Sequence, residues 1–292
     1  PVTFGNWSPK NYENDFVGNI TYRYALQHSR NVAAVKIADE VGMTKVIKLA
    51  KEMGISTLTD QDYNLSTALG GLTHGVTPLE MVQAYGVLAN GGIKVQPTAI
   101  LKIVDRNGQV VEENSIQEKR VVDEKDAAII TNMLESVING GTGGNAAIGR
   151  PAAGKTGTTD DSKDAWFVGY TPDLVAAVWI GDDYGSETLR GITGGDTPAI
   201  MWGQFMANAL ANTPASDFSV PASAQSAVSE GYYNPVKAQP KKEAAKDEKA
   251  DKKDDKDKSK DEAVKDDSGS KDDATEQKSN SSKSKKSSKK DR

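Results

Sequence analysis

The chain has 292 residues, no cysteine, two histidines and a formal net charge of −5, which excludes disulfides, thiolate metal centres and any site built from several histidines. That charge is uneven: residues 241–292 carry 18 Lys/Arg and 15 Asp/Glu, leaving 18 and 26 before them, a net of −8. An acidic folded part argues against nucleic-acid binding, and no run reaches the ~20 apolar residues of a membrane span.

The chain opens at Pro1, without Met or a signal peptide, in a loop-like Trp/Pro/Asn-rich stretch that reads as an internal cut. Thr21 to Gln27 predicts a short helix, and a second from about Val32 to Val41 ends at Gly42. Met43 to Met53 carries apolar residues at 43, 46, 47, 50 and 53, a helical stripe closed by Gly54. Thr77-Pro78-Leu79-Glu80 is a capping box with Pro at the first helical position, and Asn90-Gly91 ends that helix. Extended segments from Thr98 to Val104 and Gln109 to Glu113 flank Asn107-Gly108, a type I′ hairpin signal. Asp123 caps a helix that runs toward a Gly-rich stretch from Gly140 to Gly149.

Strands follow at about 153–158, 165–170 and 174–180; the last two are joined tightly enough to force an antiparallel hairpin. Thr197-Pro198 starts a final helix to about Ala211. Helices, then an antiparallel sheet, then a helix define a mixed α/β (α+β) layered domain rather than a βαβ repeat. Composition divides the chain into a folded domain over 1–218, a linker over 219–240 and a Lys/Asp/Ser-rich tail over 241–292. The tail's only apolar side chains are five Ala and Val264, so it is expected to be disordered. Its closing Lys/Ser run, 281–290, has the charge to touch a polyanion such as those of a cell wall, set against the plainer reading of a solvated tail.

Gly149 to Thr156 matches the phosphate-binding pattern of a P-loop. That loop needs a buried strand before it and a helix after it. Here a Gly-rich lead-in precedes it and Gly157-Thr158-Thr159-Asp160-Asp161 follows, so the match is a coincidence of the Lys-Thr pair.

Two distant motifs carry the chemistry: Ser29-Arg30-Asn31 at a helix–helix junction and Lys155-Thr156-Gly157-Thr158 on a strand. Alone, Ser29 reads equally well as a helix cap and Lys155 as an edge lysine. Together they have the Ser-x-Asn and Lys-Thr-Gly forms of the penicillin-interacting serine acyltransferases, whose remaining motif is Ser-x-x-Lys. The strings 153–159, Asp164-Ala-Trp-Phe-Val-Gly-Tyr170, Val178-Trp-Ile-Gly-Asp182, Ala68-Leu-Gly70 with Thr77-Pro-Leu-Glu80, and Gly140-Gly-Thr-Gly143 resemble class A penicillin-binding proteins. The resemblance runs in order from about Phe4 to Leu210.

The resemblance implies a serine β-lactamase/transpeptidase-like fold with an antiparallel sheet packed between helices, incomplete at its N-terminus. It implies a penicillin-sensitive D,D-transpeptidase that cross-links peptidoglycan, with stem peptides and β-lactams as ligands and no cofactor or metal. Ser29 and Lys155 are then catalytic, relaying a proton to the leaving amine. Asn31, Thr156, Gly157 and Thr158 are substrate-binding. The Thr156 and Thr158 hydroxyls take the terminal carboxylate, and the Thr158 N–H is an oxyanion donor. With histidine scarce, a serine nucleophile needs a lysine base, and a glycine-opened strand lets an extended peptide pair with it.

The nucleophile is absent: no Ser-x-x-Lys occurs between Pro1 and Pro240, and all the matches, such as those at 268–271 and 282–285, fall in the tail. An upstream glycosyltransferase domain and membrane anchor are absent too, so localisation on the extracytoplasmic face of the bacterial membrane would depend on a missing segment. Two other readings compete. One is a D,D-carboxypeptidase or β-lactamase relative, which lacks the Trp/Tyr hairpin; the other is a non-catalytic β-lactam-recognising or wall-binding fragment.

Overall fold

The structure is a computed structural model and describes residues 1–229; the rest of the region read as linker and the charged tail lie outside the described residues. The first twenty residues form loops tied by a bridge between Phe4 and Trp7. Helices α1 (Tyr22–Gln27), α2 (Asn31–Val41) and α3 (Met43–Met53) follow in close succession. Thr21 caps α1 by accepting the Tyr24 N–H. Two short 3₁₀ turns, Asp60–Asp62 and Leu65–Leu69, lead to α4 (Pro78–Ala89).

The capping box at α4 forms as its sequence predicts: the Thr77 hydroxyl accepts the Glu80 N–H, and Glu80 accepts from Thr77 in return. Its other oxygen accepts from the Ser56 N–H, the Ser56 hydroxyl and the Thr57 N–H, so one buried carboxylate ties the exit of α3 to the start of α4. Ile47, Ile55, Leu58 and Ala84 close the small core beneath it.

Strand β1 (Ile93–Val95) pairs far along the chain with β4 (Glu118–Arg120), and between them β2 (Lys102–Val104) and β3 (Val110–Glu113) form a hairpin. This turn departs from the type I′ expectation. Gly108 alone takes a left-handed φ, at 80°, and its N–H donates to the Asp105 carbonyl. The Asp105 carboxylate accepts from the N–H groups of Asn107 and Gln109, an Asx turn that holds Asn107 right-handed and leaves the glycine as the bulge residue.

Helix α5 (Glu124–Gly140), capped by Asp123, precedes the main sheet. The sheet is antiparallel in the order β5 (Ala153–Thr158), β6 (Asp164–Tyr170), β7 (Val175–Gly181), with Lys155 opposite Val168 and Trp166 opposite Trp179. The Gly-rich stretch before it contains a 3₁₀ turn at Gly144–Ala146.

Side chains of β6 alternate between two cores. Phe167 packs with Ile138 and with Trp202 and Met206 of α6 (Thr197–Ala209). Tyr170 packs with Leu134, Val137, Tyr85 and Leu88 of α5 and α4, its hydroxyl bonded to buried Thr131 at 2.9 Å. The sheet is therefore sandwiched between helices, as expected. Residues 219–229, read as linker from their lack of large apolar side chains, instead hold a fully buried Ala224 and a short helix, α7 (Gln225–Ser229).

Candidate active site

The chain leaves α1 through a turn whose hydrogen bonds set the position of Ser29. The Arg30 N–H donates to the Ala25 carbonyl at 2.8 Å and the Ser29 N–H to Leu26 at 3.2 Å, the paired bonds of a Schellman ending. That motif calls for a left-handed residue, normally glycine, and Ser29 fills it at φ 50°. A left-handed non-glycine residue costs about 1–2 kcal/mol, so the hydroxyl is kept against backbone preference. It does not cap the following helix. Its Oγ accepts instead from Lys155 Nζ at 2.7 Å, across 126 residues of sequence.

The N-terminus of α2 is satisfied from a distance. Arg30 stands at its N-cap without a side-chain cap, and the Val32 N–H donates to Oδ1 of buried Asn11 at 3.2 Å. The Asn31 amide nitrogen donates to the Lys10 carbonyl at 3.0 Å, which uses one of its two N–H groups and fixes the direction in which Oδ1 can accept. Arg30 closes the clamp on Asp15 at 2.6 Å and Glu13 at 3.0 Å, its guanidinium 5.9 Å from the Tyr24 ring centroid. None of Asn11, Glu13 and Asp15 was legible as a site residue, because these contacts join segments too far apart for any local pattern.

Lys155 lies mid-strand on β5, with no helix after it, which disposes of the phosphate-loop pattern. Its Nζ also donates to the Thr156 carbonyl at 3.0 Å. Burial pushes the ammonium down to about 8 from the ordinary lysine value. On the far side of this strand, the Thr159 N–H donates to Asp164 of β6. Alternation along the strand then turns the peptide groups of Thr156 and Thr158 toward the open edge of the sheet. The Thr158 hydroxyl accepts the Gly194 N–H at 3.0 Å, and the Thr156 hydroxyl lies 2.7 Å from that of Thr142. A Cβ on Gly157 would press on the Trp166 side chain at 3.3 Å, so a larger residue there would have to push that indole aside slightly. Trp166 is backed in turn by Trp179, whose indole N–H donates to Asp164 at 2.9 Å.

All six sequence-predicted residues, Ser29, Asn31, Lys155, Thr156, Gly157 and Thr158, line one cavity of about 720 Å³. Its apolar lining comes from Leu26 of α1, Ala34 and Ile37 of α2, and Ile129, Ile130 and Met133 of α5, and Arg30, Lys125 and Asp126 add charged groups to it. Among the described residues, no group of three or more His, Cys, Asp or Glu side chains could hold a metal, and no helix is long and apolar enough to cross a membrane.

A serine hydroxyl held by a buried lysine whose ammonium gives up its proton more readily than usual, beside a strand edge with outward N–H groups, has the chemistry that lysine-assisted serine acyl transfer uses. Comparison with known proteins narrows the class. The family model described as penicillin binding protein transpeptidase domain matches residues 1–188. Penicillin-binding protein 1A of Aquifex aeolicus is 41% identical over 217 residues, covering 74% of this chain and 29% of that protein. Its counterpart in Rickettsia conorii is 36% identical, covering 74% and 30%. The crystal structure of penicillin-binding protein 1A from Haemophilus influenzae superposes with a TM-score of 0.69 at 27% identity, over 74% of this chain and 38% of that one. PonA1 of Mycobacterium tuberculosis, in complex with penicillin V, gives 0.69 at 29% identity, over 82% and 68%.

The chain therefore belongs to the penicillin-binding protein transpeptidase domain family. It spans about 30% of the length of the curated relatives it matches. The family match stops at residue 188, yet Trp202 and Met206 of α6 are fully buried against the sheet, so the compact unit continues past it.

Proposed function

We propose that this chain supplies two walls of a peptidoglycan D,D-transpeptidase active site, and that the attacking serine comes from a Ser-x-x-Lys segment outside it. The observation that carries this reading is the 2.7 Å hydrogen bond between Lys155 Nζ and Ser29 Oγ in the lining of the cavity.

The stem peptide lies extended along the open edge of β5 and pairs with the outward peptide groups of Thr156 and Thr158. The Thr156 and Thr158 hydroxyls take the terminal D-Ala carboxylate, and Asn31 Oδ1 accepts from a substrate amide or from the lysine of the nucleophile's motif. The nucleophile's hydroxyl gives its proton to the lysine of its own motif as its oxygen attacks the penultimate D-Ala carbonyl, and the oxyanion is received by the Thr158 N–H. One such donor is typically worth ~10²–10³ in rate. Lys155 passes a proton through Ser29 to the departing D-Ala amine. Ser29 accepts from Lys155, so its own O–H hydrogen remains to be donated onward. An amino group of a neighbouring stem then resolves the acyl-enzyme, and β-lactams enter through the same contacts.

The whole protein also carries a glycosyltransferase domain and a membrane anchor on this reading, and acts outside the cytoplasm. The apolar lining of the cavity suits the segment that bears the nucleophile. A D,D-carboxypeptidase would use the same three motifs; the Trp166–Trp179 hairpin of the class A pattern favours the transpeptidase.

Intact mass after incubation with benzylpenicillin tests the proposal. The chain alone is expected to gain no adduct, and the chain joined to a Ser-x-x-Lys segment of its family to gain one penicilloyl mass. An adduct on the chain alone overturns the outside nucleophile; no adduct on the joined protein overturns the transpeptidase reading.

A further inference from the structure

We infer that Thr142 and the turn at Gly194-Gly195 are positioning groups for carboxylate recognition. They occupy acceptor sites on the Thr156 and Thr158 hydroxyls, so that both O–H bonds are left to donate outward. The inference rests on the transpeptidase reading above and concerns residues outside its three motifs.

A threonine hydroxyl has one hydrogen to give and two lone pairs to receive. At Thr158 one lone pair takes the Gly194 N–H at 3.0 Å. A backbone N–H can only donate, so the Thr158 hydrogen is not spent in that contact. At Thr156 the neighbours are the Thr142 hydroxyl at 2.7 Å and, at the 3.5 Å limit, the Lys155 ammonium. The ammonium also only donates. An anion at the outer edge accepts only, and so selects one polarity for the pair: Thr142 to Thr156, and Thr156 to the anion. In such a chain each bond polarises and strengthens the next.

Both positioning groups are rigidly held. The Thr142 N–H donates to the Gln27 carbonyl at 3.2 Å, which ties the second residue after α5 to the end of α1, two residues before Ser29. Gly195 packs on the Thr142 carbonyl, and its own carbonyl accepts from Asn145 Nδ2 at 2.8 Å. Gly194 lies directly on the sheet: a Cβ there would fall on the carbonyl oxygens of Trp166 and Gly157. Any larger residue must lift the turn, and with it the donor that faces Thr158. Neighbouring Thr193 anchors the turn through its hydroxyl, which donates to Asp196 at 2.6 Å.

The consequence is specific. Removing the Thr142 hydroxyl should weaken recognition of a carboxylate and leave recognition of the same ligand without that charge untouched. A purely structural role would weaken both.

The experiment uses the chain joined to a Ser-x-x-Lys segment and compares acylation rate constants for benzylpenicillin and its methyl ester. In Thr142→Val the acid-to-ester ratio is expected to fall about tenfold, the order expected for one hydrogen bond to a charged group, with the ester rate unchanged. Thr142→Ser should restore the ratio, and Gly194→Ala, which displaces the second donor, should lower it independently. An unchanged ratio in both Thr142→Val and Gly194→Ala, or equal losses for both ligands, overturns the inference. An unsubstituted joined protein that reacts with neither ligand overturns the transpeptidase reading and this inference with it.

Discussion

At Ser29 a backbone preference and a side-chain requirement pull in opposite directions. The Schellman ending of α1 wants glycine at a φ of 50°, and glycine would place no hydroxyl against Lys155. Two substitutions separate the requirements. Ser29→Ala removes the hydroxyl and keeps the strain; Ser29→Gly removes both. In the chain joined to its nucleophile segment, both variants should slow penicillin acylation at least ~10²-fold, the low end for general acid–base catalysis. Chemical denaturation should nevertheless find Ser29→Gly more stable than Ser29→Ala by about 1 kcal/mol, the left-handed penalty less the extra chain entropy of glycine. Equal stabilities would mean that the turn carries no strain. The six candidate residues that share one cavity could be singled out because each sits in a short motif of fixed spacing. Asn11 and Arg30 were not, since a clamp closed across about twenty residues leaves no local signature, although Thr142 lay within a Gly-Thr-Gly string already visible.

Among the elements, α4 shows how far local chemistry carries. Its capping box was readable because Thr77 and Glu80 stand three apart, but nothing local announces that Glu80 also receives Ser56 and Thr57. The pairing of β1 with β4 and the burial of Ala224 were likewise hidden, since register between distant strands and the fit of a single methyl are set by the assembled core. Glu80 carries a testable consequence. Burial alone would raise its carboxyl, but hydrogen bonds from Thr77 and Ser56 overcome this and hold it at about 2, below the ordinary 4.5. Because the folded value is depressed, the stabilisation is fully present above pH 4.5 and is lost as pH falls toward 2. Asp62, held low by the backbone and hydroxyl groups of Thr59 and Thr73, adds to the same acid sensitivity. Glu80→Gln should therefore lower the thermal midpoint at pH 7 and flatten its dependence between pH 5 and pH 2.5. A variant whose midpoint falls with acid as steeply as the parent's would assign that sensitivity elsewhere.

Across the whole molecule, α5 is the element whose pattern is hard to reconcile with an open cavity. Leu134, Val137 and Ile138 pack it against the sheet, while Ile129, Ile130 and Met133 form a second apolar stripe toward the cavity. A helix with apolar residues on two sides belongs in the interior of a layered domain, and a surface helix of that kind leaves its outer stripe in contact with water. Ile130 is 37% exposed here, so a sizeable part of its apolar surface is left in water. On the proposed reading the segment that brings the nucleophile covers this stripe, so catalysis and completion of the core are one event. Ile130→Asp distinguishes this from an intrinsically open cleft. In the chain alone the new carboxylate can still reach water through the cavity and should cost about 1 kcal/mol of urea-derived stability, the ordinary size for a point substitution. In the chain joined to a Ser-x-x-Lys segment, the same carboxylate must be buried without a partner, and a loss of about 3–5 kcal/mol is expected. Equal, small losses in both proteins would show that the stripe remains in water and that the nucleophile segment packs elsewhere.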